Sequence, residues 1–350
     1  MIDRELTEKL RDVVNDITTQ KKVKYVIGWE VENTKVSPYF VENSEDSRKL
    51  VIPEIETPNL VVFLDYERSK IRQAEELYRR GKGEEPDRRP VGIVVRGCDG
   101  RSLAKIIQEN VINRSGVYII GIPCKGVIDL RKVQNLAGKE FTISKSEDKF
   151  SVKVNGDILT LEREEILADK CLECKYPNPP VYDVLIGSEH EKPVKLYGRE
   201  EYSSVKEIEQ KSVEERGDFW DEQFSKCIRC YACREVCPLC YCEECVVDPT
   251  KLALSPFTTA EEKANKPRWI SRANDAAENA FYHLTRAVHL AGRCTGCGEC
   301  ERVCPVSIPL LLLMKKVEKD VEEMFGYTAG ISEGALFGTV DEEDPEDFIL

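Results

Sequence analysis

The sequence predicts an α/β N-terminal domain, a mixed sheet with flanking helices, followed by a mostly α-helical domain organised around cysteine. Three observations predict it. Residues 22–130 alternate short apolar runs with helically spaced segments, the pattern of buried strands joined by helices. At about Ser188 the composition turns strongly charged. Beyond it one cysteine spacing occurs twice, at 227–237 and at 294–304.

Lys22–Trp29 reads as the first strand and Asn59–Asp65 as the second. Helical spacing covers Glu67–Arg80. Val91–Val95 is the third strand, with a helix over Ser102–Glu109. Val117–Ile122 is the fourth, with a helix near Leu130–Leu136. Phe141–Leu161 alternates polar and apolar residues in two runs around Glu147-Asp148. An Asn155-Gly156 turn then leads into a third run, which makes a β-meander. Asp183–Ile186 is a short strand closing on Gly187. Residues 188–224 read as a charged linker becoming a surface helix. Thr259–Glu262 is a capping-box pattern, with helical spacing onward through Ala291. Asp341–Asp347 holds six acids and reads as a solvated tail. The expected organisation is 1–190 α/β domain, 191–224 linker and helix, 225–320 helical domain, and 321–350 extended acidic tail.

The 350 residues carry a net charge of −13, and the basic residues are scattered, which argues against nucleic acid. No apolar run approaches the roughly 18–20 residues of a membrane span. The charged N-terminus lacks the apolar region of a signal peptide, so a cytoplasmic protein is expected. In that compartment fifteen cysteines suggest metal rather than disulfides. Three histidines and no serine–histidine–acid arrangement argue against hydrolysis.

Cys227-x2-Cys230-x2-Cys233-x3-Cys237-Pro238 is repeated as Cys294-x2-Cys297-x2-Cys300-x3-Cys304-Pro305. This is the bacterial ferredoxin run, in which three cysteines wrap one cubane and the fourth ligates the other. The spacing assigns Cys227, Cys230, Cys233 and Cys304 to one [4Fe–4S] cluster. It assigns Cys294, Cys297, Cys300 and Cys237 to a second. Zinc also takes Cys-x2-Cys pairs, but two full repeats with a trailing proline favour iron–sulfur clusters. The long helical spacer resembles the α-helical ferredoxin domain of respiratory iron–sulfur subunits. Two adjacent clusters carry electrons and perform no bond chemistry. The apolar stretch Ile308–Met314 reads as a helix that keeps water from a cluster.

Four dispersed cysteines remain upstream. Cys98 and Cys124 each follow a strand, where ligands gather at the carboxyl edge of a sheet. Cys171-x2-Cys174 supplies two more thiols. The four together suit one cubane; the alternatives are buried structural thiols for the first two and a zinc knuckle for the pair.

The segments GIVVRGCDGRSL, VYIIGIPC and CLECKYPNPPVYDVLIG resemble the beta subunit family of coenzyme F-420 hydrogenases and dehydrogenases. The resemblance covers residues 20–190. It implies that Cys98, Cys124, Cys171 and Cys174 hold one [4Fe–4S] cluster, a third in the chain. With the helical module included, the chain resembles formate-dehydrogenase-beta-like members associated with heterodisulfide-reductase-type complexes. The resemblance implies FAD beside the cluster. No Gly-x-Gly-x-x-Gly fingerprint marks a dinucleotide site. Ser37, Arg96 and Lys125 lie where a flavin pocket is plausible.

Cys240, Cys242 and Cys245 follow the first ferredoxin run directly. They read as ligands of a fourth cluster, as zinc ligands completed by His283, or as free thiols. Glu173, Glu243, Glu244 and Glu299 adjoin cysteines and read as solvating charges that tune potential. Trp29, Trp220 and Trp269 read as core or interface anchors.

The expected function is an iron–sulfur electron-transfer subunit of an anaerobic oxidoreductase complex, with other redox subunits as partners and a formate dehydrogenase, hydrogenase or heterodisulfide reductase as the linked enzyme. The alternative is an FAD-containing catalytic subunit exchanging hydride with coenzyme F-420 or NAD(P). A non-redox metal scaffold is the third reading.

Overall fold

The computed structural model describes residues 1–32, 35–138, 141–146, 149–154, 157–191, 199–242, 245, 270 and 275–334. A five-stranded sheet has the order β2-β1-β3-β4-β8. Its strands are β1 (Val26–Glu32), β2 (Lys35–Val41), β3 (Val91–Val95), β4 (Val117–Gly121) and β8 (Val184–Leu185). The strands β1, β3, β4 and β8 run parallel, and β2 pairs antiparallel to β1 as a hairpin. Every residue of β3 is buried, because a central parallel strand is covered on both faces. The helices α1 (Arg4–Thr19), α2 (Phe63–Arg79), α3 (Gly97–Gln108) and α4 (Leu130–Ala137) flank this α/β unit. A separate antiparallel sheet of β5 (Thr142–Ser146), β6 (Lys149–Val154) and β7 (Asp157–Glu162) is the expected meander. Its core joins Phe150, Val152 and Leu161 to Val133 and Ile166.

One expected strand is a helix start. Asn59–Asp65 forms a 3-10 turn at Leu60–Val62 and then enters α2. The Asn59 side chain accepts from the Val61 amide at 3.1 Å and starts the turn. Leu60, Val61 and Leu64 are buried at helical spacing, so a short apolar run suited either element. The helix α1 and the strand β2 add to the expected elements. Asp3 caps α1, and Leu10, Val14 and Ile17 bury its inner face.

The helical region contains Ser203–Glu209, Val213–Ser225, Ala232–Glu235, Ala276–His289, Glu299–Arg302 and Leu310–Phe325. The expected tail from residue 321 starts later. The last helix continues to Phe325, and Tyr327 and Ala329 are buried beyond it. The Asn155-Gly156 turn, the Thr259–Glu262 capping box, Trp269, Glu243, Glu244 and the acidic run lie outside the described residues. Among the described residues, no helix is long and apolar enough to cross a membrane.

The two units share one hydrophobic core. Val95, Leu103 and Ile106 belong to the same buried cluster as Phe224, Leu239, Leu290 and Met314. Polar contacts reinforce it along α3. Residues 101, 102, 105 and 109 fall on one helix face, and all meet the C-terminal unit. Arg101 pairs with Glu318 at 2.8 Å and donates to the Thr295 and Ala329 carbonyls. The Ser102 and Thr295 hydroxyls lie 2.7 Å apart. Lys105 donates to Tyr327 at 2.9 Å. Glu109 accepts twice from Arg293, at 2.7 and 2.9 Å.

Candidate functional site

The carboxyl edge of the parallel sheet builds the first group. After β3 the chain turns at Arg96 into α3, whose Asp99 carboxylate accepts from the Arg96 amide. This puts Cys98 in the first helical turn. After β4 the chain reaches Pro123-Cys124, and the Cys124 amide donates to Pro177 at 3.0 Å. The helical turn Asp169–Leu172 brings in Cys171 and, just beyond it, Cys174. All four cysteines line one small cavity of about 40 Å³. Gly126 suits this turn, because its φ is +83° and an added Cβ would lie 2.8 Å from the Leu167 methyl and 3.1 Å from the Cys171 Cβ.

The eight ferredoxin-spaced cysteines come from two loops that copy each other. In the first, Arg229 and Tyr231 have φ of 53° and 62°; in the second, Gly296 and Gly298 have 63° and 72°. Glycine adopts this left-handed backbone freely, whereas Arg229 and Tyr231 do so at a cost of order 1–3 kcal/mol each. Such strain persists where the surroundings over-determine it. The Arg229 guanidinium lies over Tyr282, 4.7 Å from its centroid. Each loop ends in one helical turn, Ala232–Glu235 and Glu299–Arg302.

These loops exchange their fourth cysteines. Cys237 lines a cavity of about 20 Å³ with Cys294, Cys297 and Cys300, roofed by Leu311 and Met314. Cys304 joins Cys227 and Cys233 in an apolar cluster with Tyr282, Ile308 and Leu310, against which Cys245 and Cys300 also pack. Cys230 faces Cys233 and is exposed. Thr295 lines both the Cys98 cavity and the Cys237 cavity, so these two groups share a wall. Cys233 in turn faces Cys300. Cys300 also packs against the Cys227 and Cys233 cluster, so the Cys294 group adjoins both of the others.

The sulfurs sit in donor-rich surroundings. Gly126 donates its amide to Cys124 Sγ at 3.3 Å, Arg229 to Cys227 at 3.4 Å and Gly296 to Cys294 at 3.5 Å, each two residues on. Val127 donates to Cys171 and Ile308 to Cys304, both at 3.4 Å. Burial pushes the Cys171 and Cys294 thiols up to about 12, and raises Cys98, Cys174, Cys297 and Cys300. Thiolates persist in such sites when a metal supplies positive charge. Buried cations complete the fit. Burial opposes the Lys170 ammonium, yet Glu299 and the sulfurs of Cys98 and Cys171 keep its pKa high. Arg286 is buried with Nε and Nη1 lacking any hydrogen-bond partner. Orphaned donors beside anionic thiolate clusters are the arrangement such clusters satisfy.

Glu299 and Glu173 are not solvating charges. Glu299 is buried and binds Arg302 through both carboxylate oxygens, at 2.9 and 2.7 Å. Glu173 accepts from the Ser203 and Ser204 hydroxyls and the Ser204 amide.

A larger cavity of about 510 Å³ opens at the sheet edge beside the first group. Arg96, Lys125, Arg163, Lys9, His190 and Gly187 contribute to its wall, and Cys124 lines it as well as the Cys98 cavity. Ser37 sits on the outer strand β2 opposite Glu30 and is not part of it. Arg96 is anchored by Thr57 and the Pro53 carbonyl, over the ring of Trp29.

Cys240, Cys242 and Cys245 line another cavity, of about 480 Å³, with Arg286, Arg293 and His289. His283 is not on its wall. It stacks on Phe224 with centroids 5.1 Å apart. Burial, then Arg286 and Arg229, pushes its pKa down to about 4, so the imidazole is neutral. The Cys240 amide donates to the Cys237 carbonyl at 3.0 Å, and the neighbouring Cys237 sulfur holds the Cys240 thiol down at about 5 against burial. Among the described residues, no three His, Cys, Asp or Glu side chains gather closely enough for a single metal ion.

Residues 223–308 match the 4Fe-4S dicluster domain family. The chain is similar to the F420-dependent formate dehydrogenase subunit beta of Methanocaldococcus jannaschii, 21% identical over 296 residues, which span 69% of this chain and 74% of that protein. It is also similar to the F420-dependent formate dehydrogenase 1 subunit beta of Methanococcus maripaludis, 23% identical over 312 residues, spanning 70% and 74%. A solved chain of the F420-reducing [NiFe] hydrogenase complex from Methanosarcina barkeri aligns with 50% of this chain and 63% of its own length, less than two thirds of it. That alignment has 15% identity and a TM-score of 0.33. The resemblance read from the motifs is thus borne out by the relatives. The C-terminal region is a 4Fe-4S electron-transfer domain.

Proposed function

We propose that this chain is a cytoplasmic iron–sulfur electron-transfer subunit of an anaerobic oxidoreductase complex, with a flavin seat at the sheet edge. The observation that carries the reading is Cys124, which lines both the 510 Å³ cavity and the four-cysteine cavity behind it. In this reading Cys98, Cys124, Cys171 and Cys174 hold one [4Fe–4S] cluster. Cys237, Cys294, Cys297 and Cys300 hold a second, and Cys227, Cys230, Cys233 and Cys304 a third. Bound clusters supply one-electron chemistry, and a flavin converts it to two-electron chemistry.

The chain's own residues supply position and charge. Lys9, Lys125 and Arg163 line the sheet-edge cavity beside Asp3, Glu5, Glu54 and Glu189, with Lys9 paired to Glu5 at 2.6 Å; in this reading the cations meet the phosphates of a dinucleotide. The cavity lies within the roughly 300–1,000 Å³ of small-molecule sites. Leu311 and Met314 cover the Cys237 group, and Ile308 and Leu310 pack against the Cys227 group, whose Cys230 stays exposed. Cys240, Cys242 and Cys245 are given no cluster in this reading; they line the 480 Å³ cavity with Arg286 and Arg293. Neither zinc nor a fourth cluster is part of the proposal.

A second reading gives the chain a catalytic role, exchanging hydride with coenzyme F-420 at the sheet-edge cavity. The size of that cavity favours it, as do the relatives, which are F420-dependent by name. Anaerobically purified protein should contain about twelve irons and one flavin. Bleaching of that flavin by reduced coenzyme F-420 would support the second reading. About twelve irons without flavin would leave a relay alone, and iron near zero would overturn both.

A further inference from the structure

We infer that Arg286 is a shared counter-cation for the two ferredoxin-type clusters and sets the reduction potential of both. The inference rests on the iron–sulfur reading of the eight ferredoxin-spaced cysteines.

Arg286 lies on the helix Ala276–His289 and is 7% exposed. Its Nη2 donates to the Cys233 carbonyl at 2.9 Å, while Nε and Nη1 have no partner. Several other buried or half-buried cations near the clusters have carboxylates. Arg101 and Lys315 share Glu318, Lys170 and Arg302 share Glu299, and Arg293 has Glu109. Among the described residues, Arg286 has no such ion pair. The groups facing it are the sulfurs of Cys240, Cys237, Cys233 and Cys300, with His283 on its own helix.

An uncompensated charge is not stably buried, and arginine does not shed its proton. The partner must therefore be anionic and must reach two unused N–H groups. Thiolate-ligated clusters meet both conditions. Cys233 belongs to one ligand set, and Cys237 and Cys300 belong to the other, so one guanidinium spans the two. Its planar fork offers donors in two directions, which the point charge of a lysine does not. Positive charge and donors near cluster sulfur favour the reduced state and raise the potential. A single substitution should then move two potentials together. The Cys98 group has its own cations in Lys170, Lys315 and Arg101, which line its cavity, and serves as an internal standard.

The test is an EPR-monitored redox titration of the full-length, iron-loaded protein, with iron and sulfide counted first. Arg286→Gln should keep its iron, move two of three signals to more negative potential and leave the third in place. Arg286→Lys should recover part of the shift. Full iron with all potentials unchanged in Arg286→Gln would overturn the inference. Wild-type protein carrying 15N only in its arginine guanidinium groups gives a measure independent of folding. Nitrogen coupling to the reduced C-terminal clusters is expected, and its absence from both would overturn the inference. Fewer than about eight irons in the wild type would instead defeat the iron–sulfur reading itself.

Discussion

Arg101 and Glu318 stand 217 residues apart in the chain and form an ion pair of 2.8 Å, with side chains only 4% and 5% exposed. The helix that begins beside Cys98 is thereby bolted to the helix that roofs the Cys237 cavity. Removing one partner of a buried pair leaves an uncompensated charge and costs about 3–5 kcal/mol, whereas replacing both with apolar residues costs much less. Arg101→Met and Glu318→Leu are each expected to lower the thermal midpoint more than the double variant does. Additive losses at matched iron content would show that the pair is not coupled. The retained Lys315–Glu318 contact of 2.8 Å makes Arg101→Met the milder single change.

Gly330 tests the same junction from the other side. Its φ is +71°, and an added Cβ would fall 2.3 Å from the Arg101 carbonyl oxygen. Gly326 has a similar φ of +62° with nothing within 4 Å of that position. Gly326→Ala should cost about 1 kcal/mol, the conformational part alone. Gly330→Ala must also move backbone and should cost clearly more. Equal shifts of the midpoint in the two variants would mean that the contact yields without penalty.

Local features of the site were legible in the sequence, and features made by long-range contact were not. The cysteine loops could be read because their shape is set within a few residues, by left-handed backbone at 229 and 231 and at 296 and 298. Val91–Val95 could be read because a strand buried on both faces is apolar throughout. By contrast Arg101, Ser102, Lys105 and Glu109 look like an ordinary solvated helix face. Their burial depends on Thr295, Glu318 and Tyr327, some 200 residues away. The i, i+4 recurrence of those polar residues was the available signal. The burial of Glu299 is likewise long-range, since Lys170 reaches it only in the fold, whereas its i, i+3 partner Arg302 was a local signal. The sheet-edge cavity has no motif because its wall is assembled from six separated segments, from residue 3 to residue 190.

The sheet-edge cavity should bind flavin through Lys9 and Lys125 without holding iron. Charge-assisted hydrogen bonds contribute about 1.5–3 kcal/mol each. The paired change Lys9→Ala with Lys125→Ala is therefore expected to weaken flavin retention by at least about tenfold, with iron content unchanged. Flavin and iron per chain after gel filtration measure both. Loss of iron alongside flavin would mean that these lysines support the Cys124 loop rather than a ligand.

Serine substitutions separate ligands from bystanders among the cysteines. Cys98→Ser, Cys297→Ser and Cys230→Ser should each remove up to about four of about twelve irons, one cluster apiece. Cys242→Ser should remove none. The informative comparison is Cys237 against Cys240, because the two are neighbours that both line the 480 Å³ cavity. Only Cys237 also lines the small cavity with Cys294, Cys297 and Cys300. Cys240→Ser should therefore leave the iron count intact, while Cys237→Ser disturbs the second cluster. A sulfur this near can act as a substitute ligand, so Cys237→Ala should keep more iron than Cys237→Ala combined with Cys240→Ala. Iron loss in Cys240→Ser alone would make that thiol a primary ligand and reverse the assignment.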